Sequence, residues 1–332
     1  MIYFVTATDG AVSIAAPPDA YIPQEDGIEK AWHHFIAQEA VRHSWAQGTM
    51  EKFNQLHAHL MRWDPCLEFS HLDAVGIIRY VSYLQDDLGL KNSTIQRLLA
   101  FLRWFLRWAS RNGYPVPADA LTPSPKVKIL KQKPVFLEWE ELMGLFRLEI
   151  PPEDSTLRKT RDVFCFCCFT GLRFSDAIGL KRANVGAGEI TFTTVKTSRT
   201  ITVELNRFAS AILQRNRNVK DGFALPQMSK QAFNRNIKKV CLLCGLTREV
   251  SQEWYQGTRR KSRQRPLWAV VSSHTGRRTF ICNALKLGIP PQVVMQWTGH
   301  SSYRSMQPYV GVSDATRREA MRSFDKEDGK LL

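Results

Sequence analysis

The sequence predicts a mainly α-helical protein of two domains with a small β-sheet. Three observations carry that reading. Apolar residues recur at helical spacing over most of the chain, one pair of short segments alternates at period two, and a proline- and lysine-rich stretch separates two long patterned regions. With 332 residues there is length for two separate cores.

Residues 1–26 mix Ala, Pro, Asp and Gly without helical period and read as a flexible N-terminal arm. Residues 27–115 read as a helical domain. Its clearest segment runs from Ser93 to Arg111, with Ser93 placed to cap the start and Asn112-Gly113 placed to end it. Leu98, Leu102, Phe105 and Leu106 form its apolar stripe. Arg103, Arg107 and Arg111 recur every fourth residue on another face, and Trp104 and Trp108 are expected to pack rather than to stack on bases. Residues 116–135 hold Pro117, Pro123, Pro125 and Pro134 among Lys126, Lys128, Lys131 and Lys133 and read as an extended basic linker.

Residues 136–332 form the second domain. Leu137–Phe146 and Thr160–Phe169 are expected helices, the latter ended by Thr170-Gly171. Glu189–Val195 and Thr200–Leu205 alternate around Lys196-Thr-Ser-Arg199 as a hairpin. After Arg207 the pattern is helical, except for a basic loop, Thr258–Arg265, that carries Arg259, Arg260, Lys261, Arg263 and Arg265. Ser313–Phe324 reads as a capped amphipathic helix and Asp325–Leu332 as a frayed end.

Charge narrows the function. The net charge is +15, and it is unevenly placed: residues 1–135 carry 14 Lys/Arg against 13 Asp/Glu, whereas residues 136–332 carry 32 against 18. A basic half of that size attracts polyanions, and nucleic acid is favoured over membrane because no amphipathic anchor or lipidation motif accompanies it. The longest apolar run, Val163–Phe169, is far short of a membrane span, and the N-terminus lacks the basic n-region of a signal peptide. These features predict a cytoplasmic protein with no membrane partner. The seven cysteines fit reduced thiols: Cys165, Cys167 and Cys168 sit in the apolar run, and the lone Cys241-Cys244 pair fits helical core positions better than a zinc or redox site. No Asp, Glu or His cluster has metal-ligand spacing and no Gly-rich nucleotide loop is present, so no cofactor is expected.

Cleaving a phosphodiester through a covalent intermediate needs a nucleophile, cationic donors for the non-bridging oxygens and an acid for the leaving oxygen. The second half supplies candidates in a definite order: Thr170-Gly-Leu-Arg-Phe-Ser-Asp176, Lys196 in the hairpin, His274-Thr-Gly-Arg-Arg-Thr-Phe280, Thr298-Gly-His300, and Tyr309 nine residues later. This series resembles the tyrosine recombinases, the group of phage integrases and chromosome-dimer resolvases, and looks most like integrases of mobile elements of the Bacteroidetes group. The helix around Asn92–Trp108 is similar to their core-binding domain, so the resemblance covers about residues 27–324.

The resemblance implies a SAM-like helical core DNA-binding domain and an α+β catalytic domain that close on DNA as a C-shaped clamp. It implies that Arg173 and Arg277 grip the scissile phosphate, a task suited to guanidinium because its planar fork matches two phosphate oxygens. His274, three residues before Arg277 and so on the same helical face, would be a proton acceptor or phosphate donor. Lys196 would protonate the 5′-hydroxyl leaving group, a role its neighbour Arg199 fills poorly. His300 would hydrogen-bond the phosphate in the transition state, and Tyr309 would be the nucleophile. Tyr303, only three residues after His300, lacks the family spacing. Asp176 would orient the site, and Arg278, where many relatives carry His, reads as a helper or structural residue.

The expected activity is site-specific DNA recombination, the integration or excision of a mobile element through a 3′-phosphotyrosine. The expected partners are duplex DNA with paired inverted-repeat core sites, a homotetramer on two duplexes formed from a monomer or weak dimer, and accessory DNA-bending factors. Arg103, Arg107, Arg111, Lys126, Lys128 and the basic loop are the expected DNA contacts. Two other readings share this fold: an architectural DNA-binding protein without catalysis, and a type IB topoisomerase-like enzyme that relaxes DNA without recombination.

Overall fold

The computed structural model describes residues 27–122 and 125–310, the last of these by its backbone alone. The expected arm at 1–26, the helix Ser313–Phe324 and the frayed end after it lie outside the described residues. No described helix is long and apolar enough to cross a membrane. The chain divides into two compact units, one of residues up to Leu130 together with Trp254–Lys261, the other of Lys131–Glu253 and Ser262 onward.

The first unit is helical: α1 (Ile28–Arg42), α2 (Gln47–Trp63), α3 (Ala74–Ser82) and α4 (Asn92–Arg111). Its core is aromatic. Phe35, Phe53 and Phe105 are fully buried, and Trp45 stacks on Phe53 with centroids 4.4 Å apart. The predicted stripe on α4 is inside, with Leu98, Leu102, Phe105 and Leu106 all buried. Trp108 is buried as well, and the Trp104 indole N–H donates to the buried Glu39 carboxylate at 2.7 Å. Arg107 and Arg111 stay exposed.

The start of α4 differs from the expected Ser93 cap. The cap position is Lys91, without a side-chain cap, and Ser93 lies inside the first turn. The neighbouring Asn92 is buried instead. Its amide donates to the carbonyls of Lys128 and Gly257, and its oxygen accepts the Gly257 N–H at 2.9 Å. A side chain with both donor and acceptor can bind backbone in this way, which a serine hydroxyl does less fully.

The second unit is built around α6 (Ser155–Thr170), in which every residue from Val163 to Thr170 is buried. Packed against it are α5 (Trp139–Arg147), α7 (Phe174–Gly179), α8 (Arg207–Arg215), α9 (Lys230–Leu243) and α11 (Ser273–Lys286). The short α10 (Leu267–Val270) leads into α11, and α12 (Pro291–Thr298) and α13 (Gln307–Val310) follow it. The hairpin appears where period two predicts it, as β1 (Glu189–Thr193) paired with β2 (Thr200–Glu204). Ile190, Phe192 and Val203 face the core, while Thr191 and Thr193 meet Thr202 and Thr200 across the outer face.

Thr258–Arg265 is not a loop. It falls in a second two-stranded sheet, β3 (Glu249–Gln256) with β4 (Arg259–Pro266). Fully buried Cys165 and Cys241 belong to the core, where burial raises both thiols and keeps them protonated. Among the described residues no group of three or more His, Cys, Asp or Glu could hold a metal ion.

Candidate active site

The site begins at the end of α6. Gly171 closes that helix in the left-handed conformation at φ 73°, and a Cβ there would lie 2.6 Å from the Phe280 ring. Glycine therefore serves both the backbone and the close approach of α11. Two residues later Arg173 occupies the cap position of α7. Its Nη1 is buried without a hydrogen-bond partner; the nearest carboxylate oxygen, on Asp176, is 3.6 Å away, too far for a hydrogen bond.

Asp176, buried in the first turn of α7, turns its other oxygen to the Val195 N–H at 3.0 Å. Val195 opens the turn between β1 and β2, so the acid that faces Arg173 also fixes the segment carrying Lys196. The turn closes internally: Ser198 N–H donates to the Thr194 carbonyl, and the Thr194 hydroxyl meets that of Thr197 at 2.7 Å. Lys196 itself is exposed.

Helix α11 supplies two more groups. Ser272 caps it reciprocally with Thr275, and the Asn234 side chain accepts the Ser273 N–H at 2.8 Å. His274 is exposed in the first turn. Its pKa is lowered to about 4, first by partial desolvation and then by Arg278, Arg277, Arg173 and Lys196. Because the ring is open to solvent, the four cations are the weightier cause. Arg277 is 2% exposed, donates to the Gly171 carbonyl at 2.9 Å and to the Thr298 carbonyl, and approaches His300 Nε2 at 3.2 Å. Burial and the Arg173 charge lower it to about 10, against the pull of Tyr309 and Asp176, so it stays cationic near neutral pH.

Helix α12 ends at Gly299, also left-handed, and His300 follows. The Thr298 hydroxyl donates to the Val294 carbonyl at 2.6 Å and lies 2.7 Å from His300 Nδ1. Having spent its proton, that hydroxyl accepts from Nδ1–H, which leaves the Nε2 lone pair toward Arg277. Burial, then Arg277, Arg173 and His274, lower His300 to about 4. Tyr309, 9% exposed on α13, packs with Phe136, Ile281, Cys282, Ala284, Val294 and Met306 beside the cationic cluster.

Around His274 the structure places Arg173, Arg277 and Lys196, around His300 it places Arg173, Arg277 and His274, and Tyr309 lies within reach of Arg277. Asp176 lies among them, and Arg278 stands beside His274. The expected DNA contacts are not part of this cluster. Arg103, Arg107 and Arg111 lie on α4 and Lys126 and Lys128 follow it, whereas Arg259, Arg260, Lys261, Arg263 and Arg265 lie on β4. Thr298 and the Gly171 carbonyl are site-building groups that motif order does not reveal. Their adjacency to Arg173 and His300 in the sequence is the available signal.

Such an arrangement gathers several cationic donors, two neutral imidazoles and a phenol, and the carboxylate among them, Asp176, is buried. Among solved structures, a lambda integrase dimer bound to a COC' core site is similar at 14% identity and TM-score 0.65, over 87% of this chain and 79% of that one. The integrase of transposon Tn1549, in complex with a circular intermediate DNA, is similar at 14% identity and TM-score 0.64, over 90% and 99%. XerH recombinase bound to a palindromic difH substrate gives 15% and 0.56, over 89% and 77%. At these identities the likeness shows a shared fold. No curated protein matches the chain. Residues 140–316 match the phage integrase family, and with more than half of its length in that match the chain belongs to this family of tyrosine-type site-specific recombinases.

Proposed function

We propose that the chain integrates and excises a mobile element by strand exchange between two DNA duplexes, through a covalent 3′-phosphotyrosine on Tyr309. The observation that carries this reading is the buried Arg173 Nη1, which has no hydrogen-bond acceptor and whose charge is felt by Arg277 and both histidines. A buried guanidinium nitrogen left without an acceptor is costly in the free protein, and a phosphate oxygen removes that cost.

The chemistry follows from the positions. Tyr309 Oη attacks phosphorus while Arg173 and Arg277 hold the non-bridging oxygens. Neutral His274 accepts the phenol proton. The 5′-oxygen departs with a proton from Lys196 Nζ, and religation runs the same steps backward. His300 carries no proton on Nε2 in the free protein; the bound phosphate's negative charge raises the basicity of that nitrogen, which takes a proton from solvent as DNA binds and so becomes a donor. The phosphate charge is met by guanidinium, so the reaction is proposed to run without cofactor.

The remaining readings are proposals of the same kind. Residues 27–115 are the core DNA-binding domain, 116–135 the linker and 136–332 the catalytic domain. The substrate is duplex DNA with paired inverted-repeat core sites, touched by Arg103, Arg107, Arg111, Lys126, Lys128 and the cations of β4. The lambda and XerH structures, crystallised on core-site and difH DNA, support duplex DNA as partner. The working assembly is a homotetramer, and the element is of the Bacteroidetes type. A plasmid carrying two copies of the DNA that flanks the gene tests this. Recombinant circles, with a tetramer on paired duplexes in native electrophoresis, are expected. Relaxation without exchange would point to a topoisomerase, and binding without either to an architectural protein.

A further inference from the structure

The segment that carries Lys196 is a hairpin that, among the described residues, is flanked by a single isolated bridge, Val185 to Ile190, and by no third strand, and a pair of strands alone holds its tip weakly. One side of the tip is fixed by Asp176 through the Val195 N–H. The other side is fixed at the far end of β2. There the Trp297 indole N–H donates to Glu204 Oε2 at 2.5 Å, a short charge-assisted bond. Trp297 is on the last turn of α12, and its ring packs edge-on against Phe280 of α11 at 5.8 Å. Along the same contact Ile201 of β2 lies beneath Gly299, where an added Cβ would be 3.5 Å from Ile201 Cγ2.

The turn of α12 that grips β2 is therefore the turn that presents His300, and its Thr298 carbonyl receives Arg277. We infer that the Trp297–Glu204 hydrogen bond is a clasp that sets the Lys196 hairpin at a fixed place relative to the phosphate-holding groups, which makes Trp297 and Glu204 positioning residues for protonation of the leaving group. Neither side chain touches the site. Their effect passes through β2 to a lysine on an exposed turn, where a displacement of about 1 Å can cost up to a hundredfold in rate. This inference rests on Lys196 as general acid, and its test includes that assignment.

Trp297→Phe keeps the ring and removes the N–H; Glu204→Ala removes the acceptor and leaves the ring in place. Cleavage rates are measured on a nicked suicide duplex with an ordinary scissile phosphate and on its twin with a 5′-bridging phosphorothiolate, whose sulfur leaves without a proton. Duplex affinity is checked alongside. Both variants are expected to slow the ordinary duplex roughly tenfold, below that 1 Å limit, and to recover on the sulfur duplex as Lys196→Ala does. Adding Trp297→Phe to Lys196→Ala should cost nothing further. Equal slowing on both duplexes, or unchanged rates, with Lys196→Ala still rescued, would overturn the clasp while the general acid stands. Failure of the sulfur duplex to rescue Lys196→Ala would overturn the general-acid reading and the clasp with it.

Discussion

Acid should weaken this fold through His300, and the size of the effect follows from its surroundings. The ring is half-buried, donates Nδ1–H to Thr298, and is lowered to about 4 by burial and by Arg277, Arg173 and His274. An unfolded chain returns it to about 6.5. Between those values the unfolded chain holds the extra proton, so stability rises with pH across the window and is lost as pH falls through 6.5 toward 4. At pH 5 the unfolded side is favoured by a factor of at most roughly 30, and solvent screening of the half-buried ring reduces this to about 1 kcal/mol. His300→Gln removes the titration and keeps a polar side chain of similar reach. Urea midpoints are followed by tryptophan fluorescence from pH 7.5 to 5 for both proteins. The wild type is expected to lose about 1 kcal/mol more than the variant, which cancels contributions from His274 and the carboxylates. Parallel loss in the two proteins would refute the reasoning. A bound duplex should shrink the difference, because phosphate favours the imidazolium.

Gly171→Ala should destabilise the second unit by about 2–5 kcal/mol, since it combines a left-handed backbone with a Cβ 2.6 Å from Phe280, and thermal melting reads the loss. Replacing Arg259, Lys261 and Arg263 together by Gln should lower the slope of log affinity against log salt by about 0.9 for each phosphate that these cations neutralise; an unchanged slope would place β4 off the DNA. Arg173→Ala should cut cleavage by several kcal/mol of barrier on the ordinary and sulfur duplexes alike, and rescue matching that of Lys196→Ala would contradict its role as a phosphate clamp. Cleavage should persist in EDTA; activity that vanished there and returned with magnesium, at unchanged DNA affinity, would show a missing metal.

Much of this protein is legible in its sequence because its signals are local. Period-two alternation marks β1 and β2, Thr170-Gly171 marks the end of α6, and the spacing of His274 and Arg277 puts both on one turn of α11. The β3–β4 hairpin is hidden for a physical reason. Arg259–Arg265 is polar on both faces, so alternation leaves no apolar trace, and a run of like charges reads as loop. Asn92 escapes notice because a buried amide that binds distant backbone has no local signature. The site is intermediate. Its side chains can be named from motif order, but the Asp176–Val195 and Thr298–His300 bonds join segments or atoms whose pairing spacing does not specify.

The central claim is that Tyr309 becomes covalently joined to DNA. The direct measurement uses a nicked suicide duplex resolved on a denaturing gel, for the wild type and for Tyr309→Phe, with duplex affinity measured in parallel. The wild type should yield protein-linked DNA. Tyr309→Phe, which loses only the nucleophilic oxygen, should bind the duplex nearly as well and yield none. Protein-linked DNA from Tyr309→Phe at the wild-type yield would contradict the account.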